Sequence, residues 1–470
     1  MNHINQIFSS LINRFKKIYL NSSLYDKKIS KVYNNNFEYK PSPYLLSSLI
    51  KYQKKKCKIE DFALESVWEN NINSKDYKKL NNFFWFFSLD LRSSKKVVQS
   101  VIDNWIKNNH KYNHKSWDFD LTSKRIIAWL SNYQLTYEDS DKEYRDKFNW
   151  VIQKQANYLV NEIDKSSLAE DKMIGCAAII LVGISYQDKK NYLDSGLDLL
   201  KNIIKSSLDK ESFPKSRNIR QLKFYLKYFI LIREWLKESQ SEIPDFINEN
   251  IYYLGQAYAF SWQNNKVDLL FNGNHKDNNI DFDYYLKRLG YNFKNQTKEL
   301  GGYVILSNKK TSLIMDVGAS PDKKFSSNYQ AGALSFEILS NGKKLICNSG
   351  YFQNYKHQLN ELSKSSAIHS TLTLDDRSSC KFSKNKNKSS KVLHGIKIIK
   401  KNIIFEKNYW KVNASHDGYL KQYGVLHDRE IEFYPEQIKF IGHDKIISKN
   451  NIKNLKFEIR FHLEPNIKIM

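Results

Sequence analysis

Residues 332–350 read GALSFEILSNGKKLICNSG. Two apolar-rich runs, Leu334 to Leu339 and Lys344 to Cys347, flank the dipeptide Asn341-Gly342. A two-residue hairpin loop needs positive φ at both central positions, which Asn-Gly supplies at least cost, so the stretch predicts two antiparallel strands. Upstream, Tyr303 to Leu306 and Ser312 to Met315 flank the polar break Asn308-Lys309-Lys310. Downstream, Thr371 to Leu374, Ile403 to Glu406, Glu430 to Phe433, Ile438 to Ile441 and Phe457 to Leu463 carry the same two-residue period. Residues 377–391, rich in Lys, Ser and Asn, read as a mobile surface loop. Residues 295–470 therefore predict an antiparallel β-sandwich.

Before residue 295 the period is that of a helix. Val98, Ile102, Trp105 and Ile106 form one stripe; Ile126, Trp129, Leu130 and Tyr133 form another. Phe148, Ile152, Tyr158 and Leu159 continue it, as do Leu222, Leu226, Phe229, Ile230 and Leu236. Short polar connections, Glu138 to Lys142 and Glu238 to Pro244, separate them. Helices of similar length on short loops fit stacked hairpins over residues 41–294, as a solenoid or a closed α/α toroid. Residues 1–40 read as an amphipathic arm, with Ile4, Phe8, Leu11, Phe15 and Tyr19 at helical spacing among Arg14, Lys16 and Lys17. This arm fits packing against the body or rest on a membrane surface. It is not a continuous apolar secretory signal.

The chain has 470 residues, 41% hydrophobic and 14% aromatic, enough for a large core despite a mean hydropathy of -0.62. No apolar run reaches the roughly 18–20 residues of a spanning helix; the longest, Met173 to Ile184, reads as a buried helix. Lys and Arg number 75 against 50 acids, but only 11 are Arg. Nucleic-acid readers favour Arg for bidentate contacts, and no basic helix or aromatic RNA-binding motif is present. The sign fits an anionic partner such as an acidic glycan.

Cys57, Cys176, Cys347 and Cys380 lie far apart, without the spacing of a disulfide framework or thiolate zinc site. Of 11 histidines, seven lie from His357 onward. His369 precedes a strand in Ile368-His369-Ser370-Thr371, His416 and Tyr419 share a turn, and His427 stands by Asp428-Arg429. Histidine serves as acid, base or ligand near neutrality, and equally as a structural strand-end residue.

The segment WDFDLTSKRIIAWL (117–130), with Asn81-Asn82-Phe83 and Asp90-Leu91-Arg92 before it, resembles the helical domain of heparinase II/III family polysaccharide lyases. GALSFEILSNGKKLICNSG (332–350), AIHSTLTLDD (367–376), ASHDGYLKQYGVLHDREI (414–431) and EIRFHLEP (458–465) resemble that family's C-terminal sandwich. The resemblance spans residues 60–465. It implies an α/α toroid followed by a β-sandwich, an acidic polysaccharide partner, and β-elimination at a uronate. That chemistry needs the carboxylate neutralised, the enolate-like intermediate stabilised, and a Tyr or His as base and acid.

The resemblance also implies roles. His369, His416 and Tyr419 are the catalytic candidates. Arg125, Trp129, Asn272, Gln330, His427 and Arg429 are the candidates for substrate binding. His369, His416 and one of Arg125 or Asn272 are expected to converge in one pocket between the domains. Four departures stand against it. Gln330 replaces the lyases' catalytic histidine, Ser216 to Gln221 offers no tyrosine before Tyr225, and Asp171-Lys172-Met173 replaces an Asn-Asn/His motif. Asn348 stands where some members hold structural zinc with an acid. The readings are therefore a lyase with rearranged catalysis, a relative that binds acidic envelope glycans without turnover, or a protein with an unrelated ligand. The family's usual compartment is the cell envelope or periplasm; a chain without a visible signal peptide also fits the cytoplasm.

Overall fold

The computed structural model describes residues 12, 14–32, 37–47, 74–90, 92–186, 192–263, 266–277, 279–295, 297–383, 389–448, 454–465 and 467. Cys57, Ile4, Phe8, Leu11 and Leu91 lie outside them. The chain divides into two compact units: residues 1–206 with 227–248, and residues 207–226 with 249–470. The change from helix to strand falls at the expected place, but the compact units are cut elsewhere, because residues 207–226 and 249–294 group with the strands.

Unit 1 is helical: α1 (Ser23–Ile29), α2 (Lys95–Asn109), α3 (Phe119–Ser131), α4 (Lys142–Glu162), α5 (Ala169–Tyr186) and α6 (Tyr192–Ser207) are its principal helices. Side-chain caps start several. Ser94 Oγ accepts from Val97 N at α2, and Asp141 Oδ1 from Tyr144 N at 2.8 Å at α4, satisfying donors that a helix start leaves open. The apolar stripes expected from sequence are buried on α2, α3 and α4, except Tyr133, which lies beyond the end of α3 and is half-buried. Helix α5 is buried on every side from Met173 to Tyr186, so its apolar run is core. Gly183 sits so close to α6 that a Cβ there would meet Leu193 N at 2.5 Å. Among the described residues no helix is long and apolar enough to cross a membrane.

Helix α7 (Ile219–Glu238) spans the boundary, and α8 (Asp245–Tyr258) begins in unit 1. Helix α9 (Ile280–Arg288) belongs to unit 2, whose residues from Glu299 onward are mainly antiparallel sheet. Strands β1 (Glu299–Leu300), β2 (Tyr303–Ser307), β3 (Thr311–Asp316), β4 (Phe336–Ser340) and β5 (Lys343–Cys347) pair in that order, and β14 (His462–Leu463) follows β5. A second sheet has the order β12 (Lys439–Ser448), β11 (Val425–Tyr434), β10 (Trp410–His416), β9 (Ile398–Phe405). Two short ladders remain: β6 (Leu372–Leu374) with β13 (Phe457–Ile459), and β7 (Lys381–Phe382) with β8 (Val392–His394). The large sheets share one core, in which Val304, Leu313, Met315 and Phe336 meet Trp410, Val412, Ile431 and Phe433.

The Asn341-Gly342 turn has φ of 49° and 73°, as a tight hairpin between β4 and β5 requires. Asn308 Oδ1 accepts from Lys310 N and Thr311 N, closing the β2–β3 turn. Two strands start later than expected because Leu334 and Ile438 adopt φ of 57° and 51°. The stretch Phe457 to Leu463 is not one strand. Its first half pairs with β6 and its second with β5, and Arg460 marks the crossing, donating its N–H to Thr371 O. Of the stretch expected as a loop, residues 384–388 lie outside the description, while β7 and β8 frame it as a ladder.

Candidate functional site

The antiparallel register of the second sheet sets His416 opposite His427, and Arg429 opposite Asp444. All four point inward. His416 Nδ1 accepts from Gly418 N at 3.0 Å, so the ring proton sits on Nε2, which lies 3.2 Å from His427 Nδ1. His427 then presents its Nε2–H to Asp444 Oδ1 at 2.6 Å. Arg429 grips the same carboxylate with Nε at 2.8 Å and Nη2 at 3.0 Å, and its Nη1 reaches Leu334 O and Ser370 O. Burial lowers the pKa of both imidazoles, and the Arg429 charge adds to this. Burial works against the Asp444 charge, but the His427 hydrogen bond and Arg429 hold it down at about 2.

This chain ends beside His369, whose neighbour Ser370 accepts from Arg429. His369 is 1% exposed, and neither ring nitrogen meets a partner in hydrogen-bond geometry. Burial, with nearby His462, pushes its pKa down to about 3; the Ser363 carbonyl offsets this only in part. Tyr419 is buried with its ring centre 5.7 Å from that of His416 and its hydroxyl 3.0 Å from Leu372 O, and burial raises its pKa. Asn348 Oδ1 accepts from Ser370 N at 3.0 Å, and its Nδ2 has no partner. An amide brings no charge to a cation, and among the described residues no three His, Cys, Asp or Glu side chains gather around a common point. The donor set does not fit zinc.

Asn272 and Gln330 belong to a second network. Asn272 Nδ2 donates to Tyr303 Oη at 2.7 Å and Asp316 Oδ2 at 3.0 Å. Gln330 Oε1 accepts from Gly273 N, and its Nε2 donates to Gly350 O and Ser363 O. The centre is Arg217, which sequence reading passed over. Its guanidinium donates to the carbonyls of Gly301, Gly302, Gly318 and Ala319 and to Asp316 Oδ1 at 2.5 Å. Burial opposes its charge, but Asp316 outweighs that and raises its pKa.

Arg125 and Trp129 lie in unit 1. The Arg125 guanidinium stacks 3.9 Å from the Trp105 ring centre and donates to Gln155 Oε1, Asn81 O and Ser116 O. Burial brings its pKa down to about 9. Trp129 packs edge-on against Phe83 and Trp105 within the aromatic core. All nine candidates are thus 2% exposed or less, each built into the interior.

Solvent reaches unit 2 at a groove of about 740 Å³. It is lined by Trp262, Lys266, Asp268, Lys276, Ile280 and Lys343, among others. The Trp262 indole donates to Asp283 Oδ2 at 2.9 Å, fixing its ring in the wall. Lys276 pairs with Glu464, and Lys223 with Asp277 at 2.6 Å. Lys266 and Lys343 are exposed and without an ion-pair partner among the described residues. These groove residues come from helix ends, loops and strand ends remote in sequence, and no local motif marks them.

Residues 298–470 match the family model described as heparinase II/III-like, C-terminal. Over these residues the chain is similar to the C-terminal domain of the heparinase II/III family. Among solved structures, the chain is similar to a mutant of the heparan sulfate lyase HepC from Pedobacter heparinus. The TM-score is 0.63 at 13% identity, over 85% of this chain and 66% of that one. It is also similar to a heparinase III gene product, with TM-score 0.62 and 14% identity over 83% of this chain and 67% of the other. It therefore spans about two thirds of the length of these lyases. No curated protein sequence matches it. The shared fold is a helical N-terminal region followed by antiparallel sheets. In this chain Gln330 cannot serve as a base: an amide has no titrating lone pair near neutrality, and both its polar atoms are engaged. Tyr225, the first tyrosine after Ser216, is fully buried.

Proposed function

We propose that this chain, with its heparinase II/III-like C-terminal region, recognises an acidic, uronate-bearing polysaccharide at the lysine-lined groove of unit 2, without turnover by the imidazole route. The groove carries the reading. Its volume of about 740 Å³ falls within the usual range for ligand clefts, and Lys266 and Lys343 offer ammonium groups to carboxylates. The solved structures it resembles are described as a heparan sulfate lyase and a heparinase III. The reading takes the two-sheet core as the family's β-sandwich and the helices of unit 1 as part of its α/α toroid. Against turnover stand Gln330 and the interior partners of His416, His427 and Arg429.

A second reading, β-elimination by a rearranged site, is favoured by His369. Burial keeps its ring neutral, and a neutral imidazole carries a lone pair on one nitrogen that can take a carbon-bound proton. Heparan sulfate and alginate, titrated against the protein at low salt, distinguish the two. Saturable binding without growth of the unsaturated-uronate absorbance, weakened about ten-fold by Lys266→Glu with Lys343→Glu, supports the first. Absorbance that grows and is lost in His369→Ala at an unchanged Tm establishes the second.

A further inference from the structure

Residues 14–20 form a helical turn pair that leads through Ser22, the cap of α1, into unit 1. Their inner side is ordinary core: Leu20, Tyr25 and Ile29 are buried. The outer side is not. Ile12, Phe15, Ile18 and Tyr19 are 51%, 70%, 61% and 47% exposed, and Leu24 just beyond is 75% exposed. Their spacing of three and four puts the first four on one helical face. A contiguous exposed apolar face of this kind marks an interaction surface rather than scattered exposure.

The arm is fastened to unit 1. Asn157 Nδ2 on α4 donates to Ile29 O at 2.8 Å and Lys31 O at 2.9 Å, and Lys154 pairs with Asp26 at 2.7 Å. The same segment carries the exposed cations Arg14, Lys17, Lys27, Lys28 and Lys31. Asp26, already paired, is the one acid in residues 12–32.

We propose that this face docks on an anionic lipid bilayer, lying in the interfacial plane. An exposed apolar face on a cation-rich segment is what a headgroup boundary accepts: Phe15, Ile18 and Tyr19 enter the acyl edge while the lysines meet lipid phosphates. The segment is far too short to span. A second copy of the chain is disfavoured by the same charges, since an isologous contact would set Lys17, Lys27 and Lys28 against their own kind.

Co-sedimentation of the full chain with phosphatidylcholine vesicles, with and without phosphatidylglycerol, tests this. The expected result is sedimentation with the phosphatidylglycerol vesicles at low salt, reduced by added salt. Phe15→Glu with Ile18→Glu should cut partitioning at least about ten-fold. Lys17→Glu with Lys27→Glu and Lys28→Glu should abolish the preference for phosphatidylglycerol. All five positions are exposed, so an unchanged Tm certifies the variants. Failure to sediment at low salt, equal binding to both vesicle types, or a solution dimer dissolved by the Phe15/Ile18 variant would each overturn the proposal.

Discussion

His427 Nε2 lies 2.6 Å from Asp444 Oδ1, on a carboxylate whose two oxygens are also held by Arg429. The pairing follows from register, because β11 and β12 set Arg429 directly opposite Asp444 and place His427 two residues away on the same face. A negative charge buried between a guanidinium and a neutral imidazole is stable only while both partners stay.

Asp444→Asn should therefore destabilise unit 2 strongly, since it leaves the Arg429 cation buried without its counter-charge. Breaking one side of a buried pair typically costs about 3–5 kcal/mol. Urea unfolding of the variant checks this; a loss below about 1 kcal/mol would mean that water replaces the carboxylate.

Acid should act on the same region. His369, His416 and His427 have pKa values lowered by burial, to about 3 for His369. The unfolded chain then binds protons that the folded chain refuses. Stability is fully present above about pH 6.5 and is lost as pH falls from there toward 3. Each histidine contributes a slope of up to about 1.4 kcal/mol per pH unit. His369→Gln should flatten the fall of Tm between pH 6.5 and 4. An unchanged slope would show that His369 protonates in place.

Much of this fold is legible from local rules, and the site much less so. The Asn341-Gly342 turn and the change of period near residue 295 need only neighbouring residues to be read, and both appear in the structure. The break at Arg460 could not be read, because two ladders compete for one apolar run and only tertiary pairing decides. Histidines beside Asp and Arg have the composition of a site, yet strand alternation turns His416, His427 and Arg429 into the interior. Arg217 went unnoticed because its acceptors are carbonyls, about a hundred residues away, that no side-chain pattern records. The groove lysines were hidden in a general lysine excess.

The β4–β5 turn offers a clean backbone test. Nothing lies within 4 Å of a Cβ added at Gly342, whose φ is 73°. Gly342→Ala should thus cost only the left-handed strain, about 1 kcal/mol, with no steric term. Thermal unfolding of the variant measures it. A much larger loss would mean that the turn also supports a contact outside the hairpin.

Arg217 gives the sharpest case. Its five donor contacts tie residues 207–226 to the Gly301-Gly302 turn, to Gly318-Ala319 and to Asp316. Tyr303 closes the ring by donating its hydroxyl to Arg217 O at 2.6 Å, and Asn272 bridges Tyr303 to Asp316. Arg217→Lys keeps the charge but supplies three donors from one point, so it cannot reach carbonyls spread around a planar fork. Orphaned buried acceptors cost about 1–3 kcal/mol each, so the variant should lose several kcal/mol of stability. The loss should appear first as faster amide exchange across residues 299–318, while α2 to α5 keep their protection. Uniform loss of protection in both units would instead show that they unfold together.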